Sequence, residues 1–203
     1  MNIRRLRRPD ACMALFMLLS GWPLQAREAQ PAGQERGLAQ DLSALRAALI
    51  GGESATAALD GWCATHRAVP PGSVRAVKLA VETVRGDAAL RARLQLRPGE
   101  TIVRRTVALD CAGKALSRAD LWYVPQRLPA PMQATLAQSD TPFGRAIRTL
   151  NFRRQILETS PIAQPPIVFT QTALLRLPGD RPLALTKEAY TGELLRPAGR
   201  RPQ

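Results

Sequence analysis

Histidine, lysine and aromatic side chains are scarce in this 203-residue chain, and each scarcity closes off a class of function. There is one histidine, His66, so no histidine-based catalytic triad and no paired-histidine metal site can be assembled. Cys63-Ala-Thr-His66 has no second ligand pair to complete a zinc site, and neither a metal nor any other cofactor is expected. Only Lys78, Lys114 and Lys187 supply lysine, and aromatic residues make up 4% of the chain. Binding to a nucleic-acid strand calls for basic runs interleaved with aromatics, which the scattered arginines here do not form. No Gly-x-Ser-x-Gly, phosphate loop or dinucleotide-binding glycine pattern is present. Any chemistry must use arginine, lysine, carboxylates or backbone dipoles.

What the chain has is positive charge, a formal +13. Residues 1–26 have the order of a secretory signal peptide: Arg4, Arg5, Arg7 and Arg8, then the apolar run Ala11 to Trp22, then Pro23-Leu-Gln-Ala26. The run falls short of the about 20 apolar residues that span a bilayer, so no stable membrane span is expected after cleavage. The expected location is the periplasm or the medium; with the leader misread as such, it would be the cytoplasm. The leader holds four arginines and Asp10, so about +10 remains on residues 27–203. That excess suits a solvated arginine-rich surface or a small anionic ligand. With Cys12 in the leader, Cys63 and Cys111 are left, either as a disulfide or as two separate buried thiols.

Residues 27–36 read as a flexible lead-in, 37–195 as one domain and 196–203 as a disordered tail. Leu38, Leu42, Leu45 and Leu49 recur at helical spacing up to Gly51-Gly52, and Ser54 is placed to cap a second helix through His66. From Ser73 the period changes to strand. Thr101 to Asp110, a turn at Cys111 to Lys114 and a return to Val124 form one hairpin; Ile167 to Leu177, Pro178-Gly-Asp180 and Arg181 to Tyr190 form another. Short helices are expected at Ala130 to Gln138 and after Thr141, and a further strand at Phe152 to Leu157. The sum is an α+β fold with five or six strands in an antiparallel sheet and helices covering it.

Alternation along the hairpins picks out ionisable residues aimed inward. Val103, Arg105, Val107 and Leu109 share a face, so Arg105 points to the core and needs an anion there. Strict alternation in the last strand groups Thr186, Glu188 and Tyr190 opposite Leu183, Leu185 and Lys187. A bulge near Thr186-Lys187 would bring Glu188 to the apolar face and turn Lys187 outward.

These residues resemble a family. Arg105-Thr-Val-Ala-Leu-Asp-Cys-Ala-Gly113, Tyr123-Val-Pro125, Thr141-Pro-Phe-Gly-Arg145, Leu175-Arg-Leu-Pro-Gly179 and Pro182-Leu-Ala-Leu-Thr-Lys-Glu188 resemble chorismate pyruvate-lyase in order and spacing over about Leu94 to Leu194. The same fold serves as the effector-binding domain of one class of bacterial transcription regulators. The resemblance implies a chorismate-lyase-like sheet with an enclosed ligand pocket, in which Arg105 and the Phe143 amide hold a carboxylate and Glu188 is the catalytic acid. It implies binding of a small aromatic carboxylate and, in an active enzyme, cleavage of chorismate to 4-hydroxybenzoate and pyruvate. The alternative is a non-catalytic periplasmic binding or accessory protein whose Arg105 merely pairs with Glu188. A DNA-binding regulator ranks below both, since no helix-turn-helix pattern is read ahead of the domain. The expected protein is a monomer that binds no nucleic acid.

Overall fold

The computed structural model describes residues 29–161 and 164–195, with side chains from Arg36 onward. The presumed leader and the polar tail lie outside the described residues. The chain divides into residues 1–36 and 37–203. Of the first unit only a helical stretch is described, the start of α1 (Ala29–Gly51). Residues 29–36, expected as a flexible lead-in, are therefore helical. Pro31 falls in the first turn of that helix, where its missing N–H leaves no bond unmade. No helix among the described residues is long and apolar enough to cross a membrane.

The second unit is built on six strands: β1 (Arg75–Val84), β2 (Ile102–Cys111), β3 (Lys114–Tyr123), β4 (Arg153–Pro161), β5 (Ile167–Leu177) and β6 (Arg181–Thr191). They form one sheet in the order β1-β2-β3-β6-β5-β4, with every neighbouring pair antiparallel. Two three-stranded meanders thus meet at β3 and β6. The expected α+β fold is the observed one. Its hairpins close where the sequence places Gly: Ala112 and Gly113 at φ 52° and 76°, and Gly179 and Asp180 at φ 75° and 62°. Positive φ at both central residues matches the twist of the flanking strands.

Among the described residues the unit also has four further α-helices, α2 (Ala55–Arg67), α3 (Ala88–Arg93), α4 (Ala130–Gln138) and α5 (Phe143–Ala146), and short 3-10 turns between elements. Ser54 caps α2, accepting from the Ala57 amide at 3.1 Å. On one face of the sheet, Leu45, Leu49 and Leu59 from α1 and α2 pack with Val107, Leu109 and Tyr190. Beside them Leu136 of α4, Phe143 of α5 and Ile147 just after it pack against Leu121, Tyr123 and Leu183. A smaller cluster around Leu94, Ile102 and Leu174 fills one end of the opposite face.

Two buried links lock helices and loops to the sheet. Cys63 of α2 and Cys111 of β2 form a disulfide with a Cα separation of 6.5 Å, so the paired alternative holds. Closing a loop of sequence separation 48 is worth about 3–4 kcal/mol in the chain-entropy account. Reduction, or Cys63→Ser with Cys111→Ser, is expected to lower stability by about that amount in a denaturant titration. Detection of two free thiols in the unreduced, denatured protein would exclude the bond.

The second link is Arg127, which no sequence pattern singled out. It donates to the carbonyls of Leu94, at 2.8 Å, Gln95, at 2.9 Å, and Pro182, and to both oxygens of Glu100, at 2.8 and 2.5 Å. The hydrogen bond from Arg127 holds the Glu100 carboxyl at about 2, below its usual 4.5. A depressed carboxylate pKa contributes stability that is whole above about pH 4.5 and is lost as pH falls toward 2. Glu100→Gln is therefore expected to flatten the stability curve over that interval. An unchanged slope would separate the acid sensitivity from this pair.

Candidate functional site

Between the inner sheet face and the helices lies a small chamber of about 50 Å³. Its floor comes from alternate residues of successive strands: Arg105, Val107 and Leu109 of β2, Ala119 and Leu121 of β3, Thr186 and Glu188 of β6. Registers explain the gathering, since Arg105 pairs with Leu121 and Leu121 with Thr186, while Val107 pairs with Ala119 and Ala119 with Glu188. The roof is Ser54, Ala55 and Thr56 at the start of α2 with Phe143 and Gly144 of α5. Gly144 lets the two elements approach closely, since a Cβ would stand 3.0 Å from Thr56 Oγ1 and 3.1 Å from Ser54 Cβ and both would have to shift.

Arg105 is 1% exposed. Its Nη1 and Nη2 each reach the Thr141 carbonyl at 3.4 Å, long beside the about 2.7–2.9 Å of charge-assisted bonds, and its Nε is buried without a partner. Burial lowers its pKa from the usual value, opposed by Tyr123, yet a guanidinium stays protonated. No ion pair joins Arg105 to any carboxylate among the described residues. The alternative in which Arg105 merely pairs with Glu188 therefore does not hold.

Glu188 is 6% exposed and on the chamber side, and Lys187 is exposed. The register shift behind this lies elsewhere than at Thr186-Lys187. Leu175 pairs with Ala184 and Arg176 with Pro182, which leaves Leu183 as the extra residue. Pro182 has no N–H to give the ladder, so the irregularity settles beside it. Ala184, Thr186, Glu188 and Tyr190 then share the inner face, while Leu185 packs on the other side with Trp122 and Leu174.

The partner of Glu188 is Arg154 of β4. Arg154 Nη2 donates to Glu188 Oε2 at 3.0 Å and to Gln171 Oε1 at 2.6 Å, and Nη1 donates to the Leu49 carbonyl at 2.6 Å in the last turn of α1. Tyr190 donates its hydroxyl to the same Glu188 oxygen at 2.5 Å. Burial, then the Glu188 charge, raises the Tyr190 pKa well above its usual value, which keeps this donor protonated. One carboxylate oxygen so accepts from a cation and a phenol, which makes Glu188 part of a structural network. It is poorly placed to act as the acid that the resemblance implies.

Phe143 is nearly buried, and its ring packs 5.2 Å from Tyr123. The structure therefore brings Arg105, Phe143 and Glu188 to one chamber. Sequence reasoning missed Arg154, although Phe152, Arg154 and Ile156 alternate in the manner that exposed Arg105. It missed Ser54 and Thr56 as well, reading Ser54 only as a cap.

No protein-family model matches the chain. Solved structures with some likeness include the ligand-binding domain of a protein described as a GntR-family transcriptional regulator from Bordetella bronchiseptica, 18% identical, covering 60% of this chain and 87% of that one with a TM-score of 0.45. The effector domain of PhnF from Mycobacterium smegmatis is 14% identical, covering 60% and 82% with a TM-score of 0.46. Among curated proteins, "Uncharacterized protein y4mC" of Sinorhizobium fredii is 36% identical over 181 residues, covering 76% of this chain and 75% of that one. At that identity and coverage the chain belongs to the same family as Sinorhizobium fredii y4mC.

Proposed function

We propose that this is a ligand-binding protein that seats the carboxylate of a small organic acid on Arg105. The observation that carries the reading is a guanidinium 1% exposed with no anion among the described residues. An uncompensated buried charge costs several kcal/mol, and an acid arriving in the chamber supplies the missing partner through a bidentate contact. Phe143 lines the chamber, where its amide would meet the same carboxylate. Thr186 and the apolar walls from Val107, Leu121 and Leu175 suit the rest of a small acid.

Binding without turnover is favoured over chorismate cleavage because Glu188 is committed to Arg154 and Tyr190. Titration calorimetry with butyrate and 4-hydroxybenzoate tests the first part, and failure of both to bind would sink it. Incubation with chorismate tests the second, since release of 4-hydroxybenzoate and pyruvate would restore the lyase reading. Export is part of the proposal. It is supported by the arginine-then-apolar order of residues 1–22 and by a disulfide of the kind that persists in oxidising compartments. An intact mass lacking residues 1–26 after expression in a Gram-negative host would agree with it, and a product retaining Met1 would not.

A further inference from the structure

Resting on that reading, we infer that the chamber holds only the head of the ligand, and that an arginine-rich cleft outside it is a second anion subsite centred on Arg148. Size gives the first reason. The chamber's 50 Å³ is room for about three to five waters at about 10–15 Å³ each, less than a substituted benzoate needs. Directly outside lies a cleft of about 490 Å³. The two share Ser54, Thr56, Gly144, Phe152 and Arg154 as walls, so an acid too long for the chamber can continue into the cleft between the start of α2 and α5.

Charge gives the second reason. The cleft is lined by Arg145, Arg148, Arg153 and Arg154 against Glu53 and Asp60. Arg145 is held by Asp60 at 2.7 Å and Arg154 by Glu188 at 3.0 Å. Arg153 shares Asp180 with Arg176 on an open surface, where such a pair is weak and exchangeable. Arg148 is exposed, and its guanidinium has no hydrogen bond or ion pair among the described residues. With Arg176, which shares Asp180, and Glu53, which lines the cleft, Arg105, Arg145, Arg148, Arg153, Arg154 and Arg176 stand against Glu53, Asp60, Asp180 and Glu188. The connected site carries an excess of two positive charges, one at Arg105 inside and one in the cleft. The matching ligand is an elongated acid with an anionic group at each end.

The test uses pairs of straight-chain acids of equal length with one or two carboxylates: butyrate and succinate, hexanoate and adipate, octanoate and suberate. Binding of each to the disulfide-bonded protein is measured by calorimetry, alongside Arg148→Ala and Arg105→Gln, with thermal melts to confirm folding. Expected is a diacid at least tenfold tighter than its monoacid at one of the longer lengths, an advantage that Arg148→Ala removes while monoacid affinity stays unchanged. No diacid advantage at any length, or an advantage that survives Arg148→Ala, overturns the outer subsite and leaves the Arg105 reading standing. Monoacids that bind the folded Arg105→Gln protein as tightly as the parent, or acids that bind neither, overturn both.

Discussion

Arg105→Met is expected to make the empty protein more stable and unable to bind an acid. The guanidinium is 1% exposed, its Nε has no partner, and its two terminal nitrogens share one carbonyl at 3.4 Å. Replacing even a paired buried charge and its partner by apolar side chains of similar volume is often neutral or stabilising by about 1–4 kcal/mol, and a charge without an anion has less to lose. Methionine would extend the neighbouring surface of Val107 and Leu121 without a desolvation cost. Binding is expected to weaken by about 2–4 kcal/mol, the range for removing one partner of a buried charge pair. Urea unfolding of the empty protein and calorimetry on the same sample check both halves. A clear loss of stability would mean that the Thr141 carbonyl already satisfies the guanidinium and that no anion is missing. The opposed signs are the signature of a group retained for binding at the expense of the fold.

Glu188→Gln is expected to act in the other direction, lowering stability by about 3–5 kcal/mol, because it strands the Arg154 cation in the interior. Arg154 is 3% exposed and Glu188 8% at their side chains, and the pair ties β4 to β6 while Arg154 also reaches Leu49 of α1. The glutamine still accepts from Tyr190, so the loss would measure the charge rather than the shape. Replacing both members, Arg154→Met with Glu188→Met, is expected to recover much of the loss, since the charge and its counter-charge leave together. Chemical denaturation of the parent, the single variant and the double variant decides it. A Glu188→Gln protein within about 0.5 kcal/mol of the parent would show that the pair is loosely solvated and would return Glu188 to consideration as the residue that acts on a ligand.

Much of this architecture is legible residue by residue. Strand alternation places Arg105 on the apolar face of β2, positive-φ glycines mark both hairpin turns, and Ser54 announces α2 because a hydroxyl before a helix answers its free amides. The inward turn of Glu188 is legible too, but its cause is not. The sequence suggests a bulge at Thr186-Lys187, and the pairing of β6 with β5 puts it at Leu183, because a missing amide hydrogen matters only once a partner strand is there to want it.

Local rules decide what depends on a residue and its near neighbours: helix, strand, turn, and which side chains share a face. Those the sequence by itself determined, along with the positive charge and a single histidine, which leaves no histidine-based triad. Partnership is another matter. Arg105 and Glu188 stand on one sheet face and a pair between them is a fair expectation, yet Glu188 is taken by Arg154, 34 residues away on a strand two places across the sheet. Only the order β3-β6-β5-β4 brings that guanidinium over Gln171 to Glu188 and leaves Arg105 without an anion. The tertiary structure alone decides it, because which charges neutralise each other in a core depends on contacts between distant segments, and the energy of a buried pair is set by distances of a few ångströms that no local pattern encodes.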